Sequence, residues 1–222
     1  MNGILSLKKV LGLLLTSCTT YIIIKKLLPY YVRNKSLKKS KNDEKILKVL
    51  FFPDPKPTCA LKFASRNGCT RARCNLSHEP SFASAQLLSC LFRTKHQLDV
   101  CIYVFTAIEL GDLVINLHRS GVNVRVITDD EQVDASSSQI DRLRQAGIQA
   151  RHDASSYLMH HKFAIVDKKL LINGSFNWTL TATTGNNENL MITNDSEFVD
   201  KFSEEFEKLW NLFDPKLFNA TT

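Results

Sequence analysis

Residues 160–190 read HHKFAIVDKKLLINGSFNWTLTATTGNNENL, and the reading of the fold turns on their first half. The run from His160 to Val166 is rich in β-branched and aromatic residues and predicts a strand. A second strand is expected over 170–173, only three residues later. Successive side chains on a strand alternate between faces, so His160 and Lys162 share one face while His161 and Phe163 point the other way. A histidine beside a lysine on one face supplies a nucleophile or proton carrier next to a fixed positive charge, which suits attack on a phosphodiester. Asp167 stands at the strand end, where a carboxylate can hold geometry or bond a backbone turn. Gly174 and Ser175 predict a tight turn. Asn177, just beyond it, can donate to a phosphate oxygen, and Glu188 can fix a histidine tautomer.

Outward from this stretch, strands and helices alternate. A strand is expected over 47–52, ended by Pro53, Pro55 and Pro57, and the folded part begins near Leu47. A helix follows over 81–95, with Leu87, Leu88, Leu91 and Phe92 at helical spacing. The run DVCIYVFT (99–106) predicts a buried strand, 110–120 a helix closed by Gly121, 122–128 a strand, and 138–146 a helix closed by Gly147. A late strand is expected over 189–193. The last helix carries Phe198, Phe202, Phe206, Leu209, Trp210 and Phe213 as a core stripe. This alternation indicates an α/β fold with a mixed, largely parallel sheet flanked by helices.

His160-x-Lys162-x4-Asp167 followed by Gly174-Ser175-x-Asn177 resembles the HKD signature of the phospholipase D superfamily, and Glu188 falls where that pattern has its downstream acid. The resemblance covers about residues 85–213. None of the other histidines (His78, His96, His118, His152, His161) has a lysine two residues on. Single-motif members of the superfamily are half-sites completed by homodimerisation about a two-fold axis. The resemblance therefore implies a dimer in which one His160 forms a phosphohistidine and the other serves as acid and then base. It implies that Lys162 and Asn177 hold the phosphate oxygens, that Ser175, Asp167 and Glu188 complete the site, and that no catalytic metal is needed.

The net charge of +7 is unevenly placed. Residues 1–45 hold ten Lys/Arg against Asp43 and Glu44, so the remainder of the chain is slightly acidic. Any nucleic-acid surface on the folded part must therefore be a local patch. Val10 to Ile24 is free of charge and flanked by lysines on both sides. It is short of the roughly 20 residues of a bilayer span, but snorkelling lysines extend it. It predicts an N-terminal anchor over 1–32, transmembrane over about 10–28, ahead of a basic linker over 33–46. A cleaved secretory signal is the alternative, disfavoured by the dense basic stretch that follows and the lack of a small-residue cleavage site. A buried helix is the third reading of the run. The basic flanks favour a cytosolic position for the bulk of the chain.

Of the six cysteines, Cys59, Cys69 and Cys74 cluster with His78 at spacings that suit a closed tetrahedral zinc site. Few apolar residues lie between them, so structural zinc would substitute for a core. Cys90 and Cys101 sit in apolar stretches and read as core. The cluster resembles CCCH zinc fingers, a type used on single-stranded RNA, with Phe63 available for stacking. Lys56, Lys62, Arg66, Arg71 and Arg73 give residues 54–79 a charge of +3.

One HKD motif, a mitochondrial-type anchor and an inserted CCCH finger, together with the stretches MHHKFAIVD and GSFNWT, resemble the mitochondrial phospholipase D family called Zucchini. The resemblance implies residence on the mitochondrial outer membrane with residues 47–222 facing the cytosol. It also implies one of two substrates. Single-stranded RNA would be cut in primary piRNA biogenesis, alongside piRNA-pathway proteins, and cardiolipin would be hydrolysed to phosphatidic acid. The basic finger and the small polar residues near the motif (Ser155, Ser156, Thr179, Thr181, Thr183, Thr184, Asn186, Asn187) favour RNA. A non-enzymatic dimer that recruits RNA or tethers membranes is the reading from a different class.

Overall fold

A computed structural model describes residues 44–63, 67–133 and 137–218. The anchor, nearly all of the basic linker and Arg66 lie outside the described residues. Among the described residues, no helix is long and apolar enough to cross a membrane. Lys45–Thr222 forms one compact unit.

Seven strands make one sheet: β1 (Leu47–Phe51), β2 (Gln97–Ile102), β3 (Asn123–Thr128), β4 (Gln149–His152), β5 (Lys162–Val166), β6 (Leu170–Gly174) and β7 (Asn189–Thr193). Their spatial order is β1-β7-β6-β5-β2-β3-β4. Only β2–β3 and β3–β4 pair parallel, while β1–β7, β2–β5, β5–β6 and β6–β7 are antiparallel. The sheet is mixed, as expected, and mostly antiparallel, which corrects the expectation of a largely parallel one. The three-residue connection Asp167–Lys169 can only close a hairpin, since a parallel return needs a crossover of a dozen or more residues. Parallel pairing is confined to β2, β3 and β4, whose two connections, 103–122 and 129–148, each carry a helix.

The helices are α1 (Ala60–Phe63), α2 (Ala83–Phe92), α3 (Ile108–Arg119), α4 (Ile140–Gln145), α5 (Leu180–Thr184), α6 (Ser196–Leu212) and α7 (Pro215–Phe218). Gly121 and Gly147, just past α3 and α4, take the left-handed φ values of 96° and 90° that end a helix cheaply only at glycine. Strand parity divides the core. Ala164 and Val166 of β5 join Val100 of β2 and Ile172 of β6 in the cluster under α2, α3 and α4. Phe163 and Ile165 face Phe206, Leu209 and Trp210 of α6 on the other side.

On α6, Val199, Phe206, Leu209 and Trp210 are buried, whereas Phe198 is 51% exposed and leaves the expected stripe. Position 198 lies about 100° round the helix from Val199, enough to turn it to solvent. Arg125 of β3 ties this face together. It bonds Asp99 at 2.8 Å and Glu207 at 2.7 Å and stacks over the Phe206 ring at 4.8 Å.

Candidate active site

The catalytic candidates gather where β2 and β5 run out. The strand begins at Lys162, not at His160, but the ladder continues one step beyond it: Tyr103 N–H donates to the His161 carbonyl at 3.0 Å. That bond keeps the strand's alternation through residue 160. The His161 ring lies against Phe163 on the α6 side, and the exposed His160 ring packs against Tyr103, centroids 4.7 Å apart.

His160 is anchored through its predecessor. Met159 is buried, its N–H donates to the fully buried Asp129 at 2.8 Å, and its sulfur meets Cys101 at 3.3 Å. Lys162 Nζ donates to the His160 carbonyl at 2.9 Å and lies 5.2 Å from the Tyr103 ring centroid. Partial burial lowers the Lys162 pKa from its ordinary value, and the charge of Glu188 opposes that shift. Asn177 Oδ1 accepts the Val104 N–H at 3.3 Å, which leaves its Nδ2 group to donate to an incoming oxygen.

The loop that carries Asn177 is held on both sides. The Trp178 carbonyl takes the N–H groups of Thr106 and Ala107 at 2.9 and 2.8 Å, and the Trp178 ring meets Phe105 edge-on. At Gly174 a Cβ would stand 2.0 Å from the Asn189 carbonyl oxygen, so only glycine allows β6 and β7 to approach this closely. Ser175 Oγ donates to Glu188 Oε2 and accepts from Asn189 N–H at 3.1 Å, and Glu188 Oε1 accepts from Asn186 at 3.0 Å. Glu188 thus works through Ser175 and through its charge on Lys162. The partner expected for it was a histidine.

Asp167 sits apart from this group, at the far end of β5. Five residues at about 3.3 Å each separate it from Lys162. With φ at 52°, its carboxylate accepts the N–H groups of Lys95, His96 and Gln97 at 3.0, 2.7 and 2.9 Å. It clamps the entry of β2 to the β5–β6 hairpin. Burial alone would raise its pKa, but the three backbone bonds outweigh burial and hold it below the usual carboxylate range. A depressed pKa stabilises above the unfolded value, near 3.9, and that stability is lost as pH falls through the folded one. Asp167→Asn, which tolerates the left-handed backbone, is expected to cost about 1–3 kcal/mol at pH 7. Urea unfolding at pH 7 and at pH 3 checks this; an equal difference between the variants at both pH values would refute the charge-based account.

Sequence reasoning missed Tyr103, Asp129 and Met159. Tyr103 stood in a run expected to be a buried strand, but β2 ends at Ile102 and its ring emerges at the site. Asp129 acts on Met159 across thirty residues, and no local pattern announces such a bond.

A second centre lies between β1 and α2. The donor atoms of Cys59, Cys69, Cys74 and His78 all fall within 4.8 Å of one another. Tetrahedral zinc with bonds near 2.3 Å to sulfur fits a three-sulfur, one-nitrogen set at that spacing. The chain is pinned around it by Cys59 N–H to Ser77 O at 2.9 Å and Ser77 N–H to Pro57 O at 2.8 Å. Burial pushes the Cys59 thiol up to about 11, while the Leu76 N–H and neighbouring donors bring Cys74 down to about 6. Phe63, expected to be free for stacking, packs against the main core instead, because α1 turns it inward.

The family profile described as "Cardiolipin synthase, PLD-like domain" matches residues 87–210. A protein of Mus musculus named mitochondrial cardiolipin hydrolase is 46% identical over 171 residues, covering 75% of this chain and 76% of its own. One of the same name from Chlamydomonas reinhardtii is 43% identical over 168 residues, covering 76% and 74%. The chain belongs to the mitochondrial cardiolipin hydrolase family. As a member of that family it is a phosphodiesterase of the phospholipase D superfamily. Its fold matches that of Nuc, a phospholipase D family member from Salmonella typhimurium, with a TM-score of 0.59, 23% identity and coverage of 77% of this chain and 97% of Nuc.

Proposed function

We propose that this phosphodiesterase works as a homodimer in which two copies of the His160 site face one another. The observation that carries this is one exposed His160, bonded through its carbonyl to Lys162, in a chain with no second His-x-Lys. His160 attacks phosphorus, the bond to the leaving oxygen breaks, and the partner's His160 protonates that oxygen. The partner's imidazole then takes a proton from water. The resulting hydroxide attacks phosphorus, and the phosphorus–nitrogen bond breaks to release a phosphomonoester and restore His160. Lys162 and Asn177 steady the non-bridging oxygens as charge builds. Ser175 and Glu188 hold the loop behind them, and Asp167 positions the strand.

Cardiolipin is the substrate supported best. The relatives carry its name, and the rim is more apolar than its small polar residues suggested: Tyr157 is 83% exposed and Leu158 51%, immediately before His160. The uncharged run from Val10 to Ile24 and the mitochondrial names of the relatives support attachment to the mitochondrial outer membrane, with the catalytic domain in the cytosol. The second reading is single-stranded RNA cleavage in primary piRNA biogenesis, with piRNA-pathway proteins as partners. It is favoured by the exposed Lys56, Lys62, Arg71 and Arg73 around the zinc centre.

Purified dimer incubated with cardiolipin vesicles and with single-stranded RNA separates the readings. Phosphatidic acid formed by wild type and lost in His160→Asn is the expected result. Cleavage of RNA alone, leaving 5′-phosphate ends, would overturn the lipid reading and establish the other. Turnover of neither, with binding of both retained, would point to a tether.

A further inference from the structure

A cavity of about 280 Å³ lies beside the catalytic loop, between α2, the start of α3 and the segment that enters the zinc centre. Leu76, Leu87, Leu88 and Phe176 line it, and Ile108 and Leu180, 61% and 58% exposed, also contribute to the wall. Phe176 directly precedes Asn177, and Thr106, also in the wall, is bonded through its N–H to the Trp178 carbonyl just after Asn177. The pocket and the phosphate-holding amide are therefore built from one loop.

Most of the polar groups in this wall are already paired. The Thr58 and Ser84 hydroxyls share a hydrogen bond at 2.6 Å, Ser84 also donates to Asp54, and Thr183 Oγ1 donates to the Thr179 carbonyl at 2.9 Å. Apart from the Glu109 carboxylate, which also lines the wall, a nucleobase placed there would find few partners for its edges, whereas a hydrocarbon chain needs none. The volume is at the lower end of the roughly 300–1,000 Å³ typical of ligand pockets, suited to part of one chain.

We propose that this cavity is an acyl-chain subsite, which holds one fatty chain of the lipid whose phosphodiester lies at His160 and Asn177. The inference rests on the lipid reading of the substrate. It goes beyond that reading by assigning chain recognition to the α2–α3 pocket, and it makes the pocket a device for drawing a single lipid out of the bilayer surface.

The test uses full-length dimer and two probes. Binding of alkyl phosphates from hexyl to dodecyl to the inactive His160→Asn protein, measured by calorimetry, is expected to strengthen about fourfold per methylene until the cavity is full. Ile108→Trp narrows the cavity from its exposed rim, and the exposed Leu180→Asp places a charge in its wall without disturbing the core. Either change is expected to flatten the chain-length dependence, while turnover of the chainless bis(p-nitrophenyl) phosphate stays at the wild-type level. Chain-length dependence that survives in both variants would overturn the subsite. So would a loss of RNA cleavage in the variants with alkyl binding unchanged, which would assign the pocket to a nucleotide. If alkyl phosphates bind as expected while cardiolipin is not hydrolysed, the subsite stands and the substrate reading falls.

Discussion

His160→Asn is expected to abolish hydrolysis, with a loss on the order of 10⁵–10⁶ in kcat, the scale seen when an enzyme loses its nucleophile. Asparagine keeps a polar side chain of similar reach but can neither form a phosphoramidate of useful lability nor exchange protons near neutrality. The position is exposed, and its neighbours are fixed through Met159 and Tyr103, so stability should hardly change. The informative experiment mixes wild-type and variant chains in equal amounts and lets the subunits exchange. If each turnover needs His160 from both protomers, only the wild-type pairs work, and random pairing leaves about one quarter of the activity. Protomers that act alone would leave about half. Residual activity near one half would therefore refute the shared site while sparing the role of His160, and full activity of His160→Asn dimers would refute both.

What the sequence revealed of this site was local in origin. The two-residue period of 160–166 places His160 with Lys162, and the three-residue gap before Leu170 dictates the hairpin. The helix ends at Gly121 and Gly147 were equally legible, because a left-handed residue at a helix terminus is nearly a glycine monopoly. Pairing partners were not legible. β5 sits between β2 and β6, and a strand's apolar run says nothing about which neighbour it finds or in which direction. Hence the alternation of strands and helices brings parallel pairing to 97–152 alone, and the rest of the sheet is antiparallel.

Side-chain roles followed the same division. Lys162 bonds the His160 carbonyl and Asn177 accepts the Val104 N–H, both near the end of β2. Asp167, which reads as part of the motif, holds backbone at the far end of the strand, and Glu188 grips Ser175 in place of a histidine. Each of these outcomes depends on contacts between residues far apart in the chain: Asp167 with His96, and Met159 with Asp129. Phe63 and Phe198 fail in a complementary way. Both are aromatic, but one is turned into the core by a single helical turn and the other is turned out by one step round α6.

Metal removal should act on the fold and leave the chemistry intact. The chain is expected to carry one zinc on Cys59, Cys69, Cys74 and His78, and Cys59→Ser should lose it, because Cys59 is the one fully buried thiol of the set. The segment around these ligands has little core of its own and is moored by polar bonds: the Asp54 carboxylate accepts the Ala83 and Ser84 N–H groups at 3.0 and 2.8 Å at the start of α2. Without the ion, these bonds, the Cys59–Ser77 and Ser77–Pro57 backbone bonds and the packing of Ala60 and Phe63 are what remain. At free zinc about 1,000-fold above Kd, binding adds roughly 4 kcal/mol, which for a domain of this size corresponds to a fall of about 10 °C in Tm on stripping. Hydrogen exchange should rise first between residues 57 and 78. Turnover of a soluble phosphodiester, measured below the lowered Tm, should match the zinc-loaded protein, since Lys162 bonds the His160 carbonyl, Asn177 bonds the Val104 N–H and the His160 ring packs on Tyr103. If stripped protein keeps its circular dichroism and loses turnover, the metal takes part in the reaction and the two-histidine mechanism is wrong.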